Sequence, residues 1–147
     1  MDRGTPPHRH MTRVGLLLLV VALVFGACVE PGVTDLDDIR AGLAREGAVV
    51  RTIASAPGYP FAVGPTRVAV DGREIRIFEY EDAAARETDS SALTMDGYAV
   101  HGVPIDWTGP PHYWAEGRVL VVYTGSEESM VDLLTRVLGP PLEVDSG

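Results

Sequence analysis

Arg67-Val68-Ala69-Val70-Asp71-Gly72-Arg73-Glu74-Ile75-Arg76-Ile77-Phe78 decides the fold class. Apolar and polar residues alternate on both sides of Asp71-Gly72, the strongest short-range signal of a two-residue hairpin turn. Such a turn sets Val70 opposite Arg73 and Val68 opposite Ile75. Downstream, a second hairpin is read at Glu116-Gly117, which pairs Ala115 with Arg118, Tyr113 with Leu120 and His112 with Val121. Its return strand, Val119-Leu120-Val121-Val122-Tyr123, is apolar on both faces and therefore reads as a central strand. Residues 48–54 and 98–107 are further strands, the latter interrupted at Gly102 and Pro104.

Helical periodicity surrounds these strands. Thr34 is read as a cap, with Asp35, Asp37 and Asp38 in the positively polarised first turn. Leu36, Ile39 and Leu43 then form one stripe, and Gly47 stops it. A second helix over about 81–93 rests on the helix-forming Ala83, Ala84 and Ala85. The third has Ser126 as cap, Glu127 and Glu128 opening it, and Met130, Leu133, Leu134, Val137 and Leu138 at helical spacing before Gly139-Pro140-Pro141. The expectation is an α+β domain: a mainly antiparallel sheet of about six strands with three helices. Helix starts near Asp35, Glu81 and Glu127 are 46 residues apart, which suggests a helix-strand-strand-strand unit, twice, closed by a last helix.

Composition bounds the function classes. The 147 residues are 46% apolar and 22% charged, values of an ordinary folded domain rather than a disordered chain or a multi-span membrane protein. The net charge of −9 argues against a nucleic-acid partner. Lys, Asn and Gln are absent, so every fixed positive side chain is an arginine.

The N-terminal stretch carries an address. Arg3, Arg9 and Arg13 precede an apolar run over 14–25, too short to span a bilayer comfortably and followed by small residues, the layout of an export signal. Met11 serves as well as Met1 for its start. Phe25-Gly26-Ala27-Cys28 resembles the bacterial lipobox, in which the cysteine is acylated and becomes the mature N-terminus; Phe25 departs from the usual aliphatic residue. The resemblance implies an export signal over 1–28, a short tether over 29–33 spanning about 16–18 Å, and a single domain over 34–147. It further implies a chain anchored through acylated Cys28 to the extracytoplasmic side of the cell membrane, or to an outer membrane where the organism has one. Residues 107–141 resemble a group of small uncharacterised bacterial lipoproteins through Pro110-Pro111-His112-Tyr113, Gly117-Arg118, the apolar strand with Tyr123, and Leu138-Gly139-Pro140. That likeness implies a compact lipid-anchored domain and brings no catalytic residue with it.

No P-loop, dinucleotide fingerprint, HExxH or GxSxG motif stands in the sequence, and no cofactor is expected. Two readings from different classes remain. In the first, the two loops rich in proline and aromatics (Pro57-Gly58-Tyr59-Pro60-Phe61 and Trp107-Thr108-Gly109-Pro110-Pro111) bind an envelope protein or a small ligand through Tyr59, Phe61, Trp107, Tyr113 and Trp114. Loop aromatics more commonly plug the ends of a sheet, and these rings read that way as well. In the second, a metal-dependent or hydrolytic enzyme uses His101, Asp106 and His112. Alternation along a strand opposes it, since His101 and Asp106 point to opposite faces unless Gly102 or Pro104 bulges the chain.

Overall fold

A computed structural model describes Met1 and residues 35–58 and 60–143. Apart from Met1, the expected signal and tether, Cys28 included, lie outside the described residues, as do Tyr59 and residues 144–147. The chain order is α1 (Leu36–Arg45), β1 (Val50–Ser55), β2 (Pro65–Val70), β3 (Arg73–Glu79), α2 (Ala83–Ser90), β4 (Ala99–Val100), β5 (Val103–Pro104), β6 (Pro111–Glu116), β7 (Val119–Thr124) and α3 (Glu128–Leu138). Five strands form one antiparallel sheet in the order β1-β2-β3-β7-β6, and β4 and β5 form a separate two-stranded ribbon. The α+β class, the three helices and the helix-then-strands order repeated twice are those read from the sequence.

The β2–β3 hairpin has the expected register, Val70 opposite Arg73 and Val68 opposite Ile75. The β6–β7 hairpin does not. Glu116 pairs with Val119 and His112 with Tyr123, so the loop is Gly117-Arg118 rather than Glu116-Gly117. Gly117 takes φ +52°, and glycine is the residue that a primed turn favours at its first central position. Arg118 is also held there from outside: its carbonyl accepts the Tyr80 N–H and its guanidinium bonds Glu79 and the Tyr80 carbonyl. The pairing slides by two positions, so each side chain keeps its face. The single strand expected over 98–107 is instead the β4–β5 ribbon, folded back at His101-Gly102, where both residues have positive φ (51° and 74°).

The caps differ by one residue. Asp35 caps α1, its carboxylate accepting the N–H groups of Asp37 and Asp38 at 2.9 and 3.0 Å. Glu127 rather than Ser126 precedes α3, and its side chain caps nothing because it is bonded to Tyr123 and Arg73 instead.

Both faces of the sheet carry a core. On one face Ile39 and Leu43 of α1 and Met130, Leu133, Leu134 and Leu138 of α3 pack over Val68, Val70, Ile75, Ile77, Val119 and Val121. Gly42 lets the two helices close on each other; a Cβ there would meet Val137 Cγ1 at 2.7 Å. On the opposite face α2 and the segment following it cover Phe78, Tyr113, Leu120 and Val122, over β6, β7 and the near end of β3. Among the described residues, no helix covers the rest of that face, across β1, β2 and β3. It is where the candidate site lies.

Candidate binding site

The expected metal ligands separate. His101, at the ribbon turn, has Nε2 2.6 Å from Asp89 Oδ1. His112 has Nε2 3.0 Å from the Gly125 carbonyl oxygen and stacks on Tyr123. Asp106 joins neither, and among the described residues no group of three or more His, Cys, Asp or Glu side chains is placed to hold a metal ion. Strand alternation already opposes an alignment of His101 with Asp106, and the chain folds back at His101-Gly102 without bringing them together.

Asp89, which the sequence reading passed over, is the one buried charged residue among those described. It sits on α2 and gathers three other segments. Its carboxylate accepts the Tyr80 O–H at 2.8 Å and the Ala62 N–H at 2.7 Å, and bonds His101. Burial opposes its ionisation, yet the hydrogen bonds from His101, Ala62 and Tyr80 outweigh that cost and hold its pKa below the usual carboxylate value. Burial, reinforced by the bond to Asp89, drives the Tyr80 phenol far above its ordinary range. The cluster fastens the first proline-aromatic loop, through Ala62, to the ribbon that leads into the second.

The aromatic residues divide. Tyr113 and Trp114 are fully buried and present no face to a partner, which corrects the expectation of binding through their rings. Phe61 is 5% exposed and packs on Phe78, centroids 4.4 Å apart. Trp107 is half-buried. Its indole N–H is shared between the Tyr113 hydroxyl and the Gly97 carbonyl, at 2.9 and 3.1 Å, which fixes the plane of the ring.

The two loops meet around Trp107. Pro57, Pro60 and Phe61 of the first, with Pro65 and Phe78, face Ile105 and Trp107 across a notch of about 170 Å³. Arg76 is common to this notch and to an open cleft of about 620 Å³ that continues past Arg67, Glu74, Thr108, Thr124 and Ser126 to Arg73 and Glu127. The Arg76 guanidinium lies 5.1 Å over the Trp107 ring, a cation–π contact at the junction of the two.

The floor of the cleft has an unusual charge arrangement. Arg67 and Arg76 are direct cross-strand partners, and Arg51 lies on the same face because its partner Ala69 alternates with Arg67. Like charges directly opposite each other destabilise a sheet. One carboxylate, Glu74, pairs with both Arg67 and Arg76. It takes a two-pronged bond from Arg67 and lies 3.2 Å from Arg76. The Arg67 bond, assisted by the charge of Arg76 and opposed by burial, holds Glu74 below its ordinary pKa. Among the described residues Arg76 forms no hydrogen bond, and Glu74 is its one ion partner. The signal for this pair was present in the hairpin register, since a turn at Asp71-Gly72 that sets Val68 opposite Ile75 also sets Arg67 opposite Arg76.

No family model, no curated protein and no solved structure matches this chain.

Proposed function

We propose that the chain is an exported, lipid-anchored, non-catalytic binding module that engages its partner at the surface where its two proline-aromatic loops meet. The observation that carries the binding half is the convergence of Phe61 and Trp107 on one notch, with the Arg76 guanidinium 5.1 Å over the indole ring. An aromatic ring fixed by its own N–H and left half-open is a surface suited to recognition, since it adds contact area at little cost in conformational entropy. The anchoring half is supported by the lipobox-like sequence ending at Cys28. A hydrolytic reading would start from Asp89 and His101. Among the described residues, however, the His101 ring has Asp89 as its one hydrogen-bond partner and no hydroxyl or thiol bonded to it for activation.

Two variants of the full chain test the proposal in its native membrane. Cys28→Ser is expected to abolish palmitate labelling, and labelling that persists refutes the anchor. Trp107→Ala is expected to reduce cross-linked partner capture while leaving the unfolding midpoint within the range of a surface substitution, about 0.5 kcal/mol. A fallen midpoint with unchanged capture makes the ring a plug and removes the binding reading.

A further inference from the structure

We infer that the cleft receives the carboxy-terminal end of a peptide whose last residue is apolar, with the terminal carboxylate between Arg67 and Arg76 and the last side chain in the notch beside Trp107. The inference rests on the binding reading above and names the chemistry of its ligand. Three features point the same way. Two arginines, Arg67 and Arg76, stand opposite each other and share one carboxylate, Glu74 (the cleft's other carboxylate, Glu127, is paired with Arg73), a costly placement that a further carboxylate would relieve. Arg76 is the hinge between the charged cleft and the apolar notch, so a group bound to its guanidinium has an apolar recess directly alongside. The cleft is several times larger than the notch and passes the hydroxyls of Thr108, Thr124 and Ser126, groups that can donate to or accept from peptide amides. A bare anion would use the arginines and leave the notch empty; a free fatty acid would leave the hydroxyls unused. The chain as a whole is acidic, and the arginines gathered on this face lessen the repulsion that an incoming carboxylate meets.

Glu74 acts in this arrangement as a resident competitor. Its removal frees both guanidiniums for the ligand, whereas removal of Arg76 takes away half of the carboxylate clamp. The two variants therefore move affinity in opposite directions, which a merely structural role for either residue would not produce.

The experiment uses the full chain in a mild detergent, carrying Trp114→Phe so that Trp107 is the sole indole, and follows its emission during titration. The probes are acetyl-Ala-Ala-Leu, the same tripeptide as its carboxamide, 4-methylpentanoate and inorganic phosphate. The free-acid tripeptide is expected to bind saturably. Roughly tenfold weaker binding is expected for the carboxamide, which loses the charge-assisted bonds, and for 4-methylpentanoate, which lacks the peptide. Arg76→Gln is expected to weaken the tripeptide by roughly tenfold or more, and Glu74→Gln to strengthen it several-fold. Calorimetry on the chain with both tryptophans gives the same ranking without the reporter substitution. Equal binding of acid and carboxamide overturns the inference, as does 4-methylpentanoate or phosphate matching the tripeptide, or Glu74→Gln and Arg76→Gln shifting affinity in the same direction. If no probe binds while Trp107→Ala still abolishes partner capture, the ligand class is wrong and the binding reading stands; if capture is also unchanged, both fall.

Discussion

Asp89 shows how much one side chain can organise. Its carboxylate is withdrawn from water and yet stays charged, because three donors from three separate segments converge on it. Asp89→Ala removes the acceptor and strands the Tyr80 hydroxyl and the Ala62 amide, so it is expected to cost about 3 kcal/mol, measured as a shift in the urea midpoint. The pH dependence follows from the direction of its pKa. A carboxyl more acidic in the folded than in the unfolded chain binds fewer protons when folded, so its contribution is complete above the unfolded value of about 4 and is lost as pH falls through the lower folded value. The midpoint is therefore expected to drop below about pH 4, and Asp89→Asn, which has no charge to lose, to flatten that drop. An unchanged acid limb in the Asn variant would show that the cluster is not what titrates. Nothing in the sequence around Asp89 announces this role. It is a contact among residues 9 to 27 positions apart, made by the fold and not by a local pattern.

At the level of elements, the local chemistry that was legible is the kind that depends on neighbours in sequence. The Asp71-Gly72 turn, the apolar period of α3 and the two-faced strand β7 each carry their signal within a dozen residues, and all three stand as read. The second hairpin was misplaced by one residue because Glu116-Gly117 and Gly117-Arg118 are equally good loops locally; the bonds of Arg118 to Glu79 and Tyr80 decide between them. The β4–β5 ribbon was missed for a different reason. In a chain without asparagine, His101 fills the left-handed position that Asn or Asp usually takes, and His-Gly is not an obvious turn. Of the candidate site, the two loops were legible as loops, but which of their rings stay open was not, since exposure depends on what folds over them. The core of the α3 face can be tested directly. Leu134 is fully buried between α3 and the sheet, and Leu134→Ala is expected to cost about 2–5 kcal/mol in denaturant unfolding. A loss under about 0.5 kcal/mol, the range of surface changes, would mean that α3 presents a different face.

For the molecule as a whole, the sheet divides its labour. Among the described residues, one face is sealed by α1 and α3; the other is half sealed by α2 and its following segment and half left open, and the open half holds Arg51, Arg67 and Arg76. The two large helices are thus concentrated at one side, and on the other Asp89 ties the first proline-aromatic loop and the β4–β5 ribbon to α2. Among the described residues the sheet also ends in a long free margin at β1. Strand β1 is almost wholly exposed, Ile53 is 49% exposed, and the regular pairing with β2 is broken by one irregularity between Thr52 and Ala54. Unpaired margins of this kind template polymerisation, and a bulge is one of the few devices that twist them out of reach. Deleting Ile53 should straighten β1, and light scattering is then expected to rise with protein concentration where the unaltered chain stays clear. Equal clarity would show that the margin is guarded by something else. That one supernumerary residue is thus expected to keep copies of this domain from extending one another's sheets.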